Sequence, residues 1–234
     1  MDSLGTAHRR RLREIWRSAG WPCQDAIEIE LLAAGLLARQ QDAAGRETVR
    51  VTNAGVQLLA ATLQTNRAAR DAHEALVARV ALEMQRAGRL VWRGLSLRSP
   101  LPVEGGATRW VMAMPDVFSI RHTSVEDYAE PLVHEIKAGR ADLLADLRRA
   151  DKGAAYRALA SQCWYVLREG IAEADEVPPV YGVMFATPDA LVVARPAPRR
   201  AARVPFAVWM ALARADAQPP LDDDAQRWLT APND

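Results

Sequence analysis

The sequence predicts an α/β chain of the α+β kind: a small helix-and-hairpin domain, then a mixed central sheet flanked by helices. Three observations carry this. The first sixty residues read as two helices, a Gly-containing hairpin and a third helix. After them, a helix precedes three strands, a further helix and a further strand. Across 234 residues, 50% are apolar and 25% charged, which is ordinary for a folded chain with a core.

Residues 6–19 place Leu12, Ile15 and Trp16 at helical spacing, with Arg9, Arg10, Arg11, Arg13 and Arg17 between them. Gly20-Trp21-Pro22 breaks that helix. A second is expected over 24–37, apolar at Ile27, Leu31 and Leu32. Leu36 to Gln40 and Thr48 to Val51 then form a hairpin through Asp42-Ala43-Ala44-Gly45. Thr52 or Asn53 caps the next helix. A long helical stretch runs from Asn66 to Ala87 and opens the second domain near Arg67. Strands are expected at about Leu90–Leu97, Arg109–Ile120 and Leu132–Lys137, with a Pro/Gly turn at 100–106. Residues 140–160 read as helix. Short buried strands follow at 163–167 and 181–186, the latter turning through Thr187-Pro188-Asp189 into 191–194. Phe206 to Arg214 is a short helix. The division is therefore 1–66, 67–215 and a tail over 216–234, in which Asp222, Asp223 and Asp224 form an acidic run read as mobile or a helix start.

The formal net charge is +1, so no global field announces nucleic acid and any DNA contact must rely on local patches. Cys23 and Cys163 lie far apart, which fits neither a disulfide framework nor a zinc site. No stretch approaches a membrane span and the start does not read as a secretory signal, so the expectation is a cytoplasmic chain without a membrane partner.

Only two of the thirty Lys and Arg residues are lysine, Lys137 and Lys152. In a chain so biased toward arginine, a lysine invites a chemical reason: its compact ammonium behaves unlike a forked guanidinium. Lys137 ends the run Leu132-Val133-His134-Glu135-Ile136-Lys137. On a strand, Glu135 and Lys137 project from one face. Upstream, Met114-Pro115-Asp116 interrupts another apolar run. An Asp followed by Glu-x-Lys on a later strand is the pattern of metal-dependent phosphodiester cleavage. Asp116 and Glu135, with the Ile136 carbonyl, would be ligands to Mg²⁺ (or Mn²⁺), and Lys137 would orient or deprotonate the attacking water. Nucleases of the class this pattern resembles often add a carboxylate from the helix before the first strand. Glu74 and Glu83 lie on opposite sides of it, and Glu74 is chosen. Lys152 is read as solvated, and His134 as packed on the face opposite Glu135.

Residues 6–64, with Gly35-Leu36-Leu37 and Val49-Arg50-Val51-Thr52-x-x-Gly55, resemble a winged-helix domain. Asp116 with Glu135-Ile136-Lys137 resembles the PD-(D/E)xK nuclease superfamily, whose restriction-endonuclease-like core has the same element order. The string Glu135-Ile136-Lys137-Ala138-Gly139-Arg140-Ala141-Asp142, then Tyr156, Cys163-Trp164-Tyr165-Val166 and Ala190-Leu191-Val192-Val193-Ala194, is similar to the MmcB-type family of bacterial DNA-repair proteins over about 72–200. In that family the strand preceding the Glu-x-Lys carries Arg-Ala-Asp, where this chain has Met114-Pro115-Asp116. The resemblance implies a Mg²⁺-dependent deoxyribonuclease acting in DNA repair or processing.

DNA contact is expected from Arg140 at the start of the helix after Lys137, from Arg9, Arg10 and Arg13, and from Arg46 and Arg50 at the wing. Asp25, Glu28 and Glu30 place negative charge on the would-be recognition helix. The alternative role for that domain is therefore a homodimer or protein-partner surface. The competing reading for the whole chain is a non-catalytic DNA-binding or regulatory protein that uses the nuclease fold as a scaffold.

Overall fold

A computed structural model describes residues 4–103 and 105–219. The acidic run at Asp222, Asp223 and Asp224 lies outside the described residues. Contacts divide the chain into two compact units between Arg70 and Asp71.

In the first unit, α1 (Thr6–Arg17) and α2 (Ala26–Ala33) precede an antiparallel hairpin of β1 (Leu37–Gln41) and β2 (Glu47–Val51), followed by the start of α3 (Asn53–Arg86). Leu12, Ile15, Leu31, Leu37, Val49 and Leu59 close its core. The second helix is shorter than the 24–37 expected. Asp25 caps it by accepting from the Glu28 amide at 2.9 Å, and Gly35 in the left-handed region turns the chain out so that Leu37 enters a strand. Thr52 caps α3, its hydroxyl accepting from Gly55 N at 3.2 Å. Gly20 allows the close approach of the first turn to the hairpin: its φ is +79°, and a Cβ there would lie 2.2 Å from the Val49 carbonyl oxygen.

The second unit is a mixed α/β layer structure. A six-stranded sheet runs in the order β10-β9-β8-β7-β6-β3, from β3 (Arg89–Arg93), β6 (Val117–Arg121), β7 (Leu132–Lys137), β8 (Gln162–Arg168), β9 (Gly182–Ala186) and β10 (Leu191–Arg195). β7, β8 and β9 are parallel, whereas the outer pairs are antiparallel. The last turns of α3 cover one face with Val77, Val80, Ala81 and Met84, against Val91, Val117, Ile136 and Val166. Burying each such valine contributes roughly 1.5–2 kcal/mol. The other face packs α4 (Arg140–Leu147), α5 (Ala150–Leu159) and α6 (Phe206–Arg214) over Phe118, Val133, Tyr165 and Leu167.

Two expectations are corrected here. The strands read at 90–97 and 109–120 are four, because a separate hairpin of β4 (Leu97–Pro102) and β5 (Thr108–Ala113) branches off before the sheet resumes at Val117. Pro115 has no amide hydrogen to give a ladder, and Gly94, in the left-handed region, turns the chain after β3. The helical stretch 140–160 is two helices, broken at Arg148-Arg149.

His134 is fully buried as expected, stacked at 10° on Trp164, and neither ring nitrogen has a hydrogen-bond partner. Burial, and then the charge of Arg89, pull its pKa down from 6.5 to about 3. The unfolded chain therefore takes up a proton here that the folded chain refuses. The contribution of His134 is complete above about pH 6.5 and falls by about 1.4 kcal/mol per unit as pH drops toward 3. His134→Leu should remove that contribution, so that its stability relative to wild type rises by about 3 kcal/mol between pH 7 and pH 4. Urea melts of both proteins from pH 4 to 7 check it, and parallel slopes would refute it.

Candidate functional site

The sheet opens where β6 meets β7. Their register pairs Val117 with His134 and ends there, so Ile136 lies beyond the last paired rung. The Asp116 carboxylate fills the gap: its Oδ2 accepts from the Ile136 amide at 2.7 Å. On the far side of β7, alternation sends Glu135 and Lys137 together toward α4 and α5, and both are almost fully buried.

Glu135 is tightly held. Its Oε1 accepts from Lys137 Nζ at 2.8 Å and from Lys152 Nζ at 2.6 Å, and its Oε2 accepts from the Tyr156 hydroxyl at 2.8 Å. Lys152 also donates to Asp146 Oδ1 at 2.5 Å, and Tyr165 donates to Asp146 Oδ2 at 2.9 Å. Lys137 Nζ lies 3.3 Å from Asp142 and 3.6 Å from Asp146. Lys152 was expected to be solvated. It is instead one of two ammoniums on a single buried carboxylate oxygen, and the only two lysines of the chain meet there. The compositional signal used for Lys137 applied to both. What hid the second was its place on a helix, away from any strand motif.

Burial draws the Lys137 ammonium downward, but the charge and hydrogen bond of Glu135, with Asp146 and Asp142, outweigh it and its pKa is raised. Lys137 therefore stays an ammonium, which is not the form that deprotonates water. Burial lifts the Asp146 carboxyl, yet Lys152, Lys137 and Tyr165 bring it below the ordinary range. Asp116 goes the other way. Burial first, and the charge of Glu135 second, push it up to about 6 against the Ile136 amide, His73 and Lys137.

Around Asp116 a cleft of about 250 Å³ is lined by His73, Glu74, Val77, Arg93, Gly94 and Gln218. His73 Nε2 is 3.5 Å from Asp116 Oδ2, and its Nδ1 is 3.7 Å from Glu74. Glu74 is on the rim of this cleft, more than half exposed, and tied to Arg93 Nη2 at 3.2 Å. His73 was not anticipated; it precedes Glu74 in a helix that was read only for carboxylates.

Among the described residues, no group of three or more His, Cys, Asp or Glu side chains is placed to hold an ion. Asp116 and Glu135 supply two oxygen donors. Carboxylate oxygen is the donor type Mg²⁺ takes, one or two at a time beside waters or substrate phosphates, and here both oxygens of Glu135 are met by Lys137, Lys152 and Tyr156. Among the described residues Asp116 has no Lys or Arg partner, only His73 at 3.5 Å, and burial is the first cause of its raised pKa, the Glu135 charge the second.

The arginines expected to grip phosphate divide. Arg140 is not available: it forms a two-point pair with Glu176 at 2.7 and 2.9 Å and donates to the Ile171 carbonyl. It fixes the loop after β8. Arg10 pairs with Glu14 and Arg46 with Asp42. Arg13 Nε donates to the Arg9 carbonyl on the helix. Arg9 and Arg50 are exposed and form no ion pair among the described residues. No described helix is long and apolar enough to cross a membrane.

No family model and no curated protein matches this chain. It is similar to a solved structure, a protein of unknown function from Silicibacter pomeroyi, at 20% identity over 64% of this chain and 83% of that one, with a TM-score of 0.39.

Proposed function

We propose that the chain is a metal-dependent nuclease that hydrolyses DNA phosphodiester bonds in repair or processing, built on a PD-(D/E)xK core of the MmcB kind behind a winged-helix-like domain. The observation that carries this reading is the arrangement at the sheet opening: Asp116 accepts from the Ile136 amide and feels the charge of Glu135, which Lys137 holds. Asp116, Glu135 and the Ile136 carbonyl would hold Mg²⁺ or Mn²⁺. When bound, the ion polarises the scissile phosphate and lowers the pKa of a bound water. The chain's own residues do the rest. Asp116 is aimed by the Ile136 amide and flanked by His73. Lys137 stays charged, orients the attacking water and offsets the charge gathered on the phosphate. Tyr156 and Lys152 fix the carboxylate plane of Glu135.

One observation favours the second reading, a DNA-binding or regulatory scaffold without catalysis: both oxygens of Glu135 already have donors. A panel of single-stranded, duplex and branched DNA, incubated with Mg²⁺ or Mn²⁺, separates the two. Cleavage by wild type should drop by about 10²–10³-fold in Lys137→Ala, and Asp116→Ala should abolish it. Binding without cleavage under every metal leaves the scaffold reading standing.

A further inference from the structure

The β4–β5 hairpin leaves the main sheet and has two unlike faces. Its inner face is core: Leu97, Leu101 and Ala113 are buried, and Ser99 Oγ donates to the Ala155 carbonyl at 2.9 Å. The register places Arg98 opposite Met112 and Pro100 opposite Trp110 on the outer face. There Trp110 is 45% exposed and Met112 63%, with Met114 at 60% just past the strand. The Arg98 guanidinium lies over the Trp110 ring, 5.1 Å from its centroid.

Met112 of this face also borders a cleft at the helices. That cleft, of about 490 Å³, lies between Val111 and Met112 on the hairpin and Arg149, Asp151 and Lys152 on the helical side. Lys152 is the residue that touches Glu135. Asp151 is neutralised by Arg109 at 3.0 Å, whereas Arg148 and Arg149 are exposed and form no ion pair among the described residues.

We propose that the outer face of this hairpin is a track for single-stranded DNA, with a base stacked on Trp110 and phosphates met by Arg98 and Arg149. This rests on the nuclease reading for its direction, since the track would lead an unpaired strand to Glu135. An aromatic ring paired with unneutralised guanidiniums matches a base and its phosphate together. A purely apolar partner would strip water from Arg98 and return nothing. A duplex offers no free base face to Trp110.

The test is fluorescence anisotropy of a short labelled oligothymidylate with the full chain in EDTA. Trp110→Ala and Arg98→Ala should each weaken binding by roughly 10- to 100-fold, while Trp110→Phe keeps most of it. Thermal melts matching wild type exclude misfolding. Affinity unchanged in both alanine variants, or no binding by wild type, overturns the track. Cleavage assays on the same proteins separate the two claims. Metal-dependent cutting that ignores Trp110 removes the track alone; Trp110-dependent binding without cutting under any metal upholds the track and removes the hydrolase.

Discussion

Asp116→Asn is expected to make the metal-free protein more stable, by about 3 kcal/mol at pH 8. The Asp116 carboxyl moves from 3.8 to about 6 on folding, through burial and then the Glu135 charge. A carboxyl with a raised folded pKa stabilises the fold in its protonated form. That contribution is complete below about pH 4 and is lost as pH rises through about 6. Asparagine keeps an oxygen for the Ile136 amide and removes the charge, so the variant's advantage should vanish at pH 4 and be full at pH 8. Urea melts in EDTA at those two pH values test this. Mg²⁺ at a thousand times its Kd should then reverse the order, because it adds about 4.1 kcal/mol to wild type only. An Asp116→Asn protein no more stable than wild type at pH 8 would show that burial and Glu135 do not penalise the carboxylate. Equal stabilisation of both by Mg²⁺ would move the ion elsewhere.

This slope opposes the one assigned to His134. Between about pH 4 and 6, acidification relieves Asp116 and penalises His134 at similar rates, about 1.4 kcal/mol per unit each. Wild type should therefore look nearly flat in that window, and each single variant should uncover the other's slope. Two neighbouring positions, one at the strand opening and one beneath it, would thus hide each other in any measurement on wild type alone.

Much of this arrangement was legible from residues. The strand run Leu132–Lys137, the Glu-x-Lys pair and the Asp after Pro115 are local features, and the helix at Phe206–Arg214 follows from its own segment. What the sequence hid was non-local. The hairpin at 97–113 read as the ends of two long strands, because alternation does not say which strand a segment pairs with. Arg140 looked like a phosphate ligand until Glu176, thirty-six positions later, came to meet it. Lys152 and Asp146 reach Glu135 and Lys137 only because α4 and α5 fold back over β7. Glu74 sits beside Asp116, but whether it faces an ion or Arg93 depends on a turn after β3.

Lys152→Met should be the most damaging single change to the fold, costing about 3–5 kcal/mol. Glu135 and Asp146 are 5% and 4% exposed at their side chains and share this ammonium. Without it, one buried carboxylate oxygen keeps Lys137 alone, and Asp146 keeps the Tyr165 hydroxyl and a lysine at 3.6 Å. Methionine fills the stem volume, so the loss is electrostatic and not a cavity. Lys152→Arg is the sharper control. It restores the charge, but a planar fork must replace a point donor already sharing Glu135 Oε1 with Lys137, so it should recover only part of the stability. If arginine rescues fully, charge alone was required, and the survival of two lysines among so many arginines needs another cause. If methionine costs less than 1 kcal/mol in a urea melt, Lys152 is solvated in solution and Lys137 alone holds Glu135 Oε1. Incomplete rescue by arginine ties the composition to the site: the two positions kept lysine because two ammoniums, and not two guanidiniums, fit on one carboxylate oxygen.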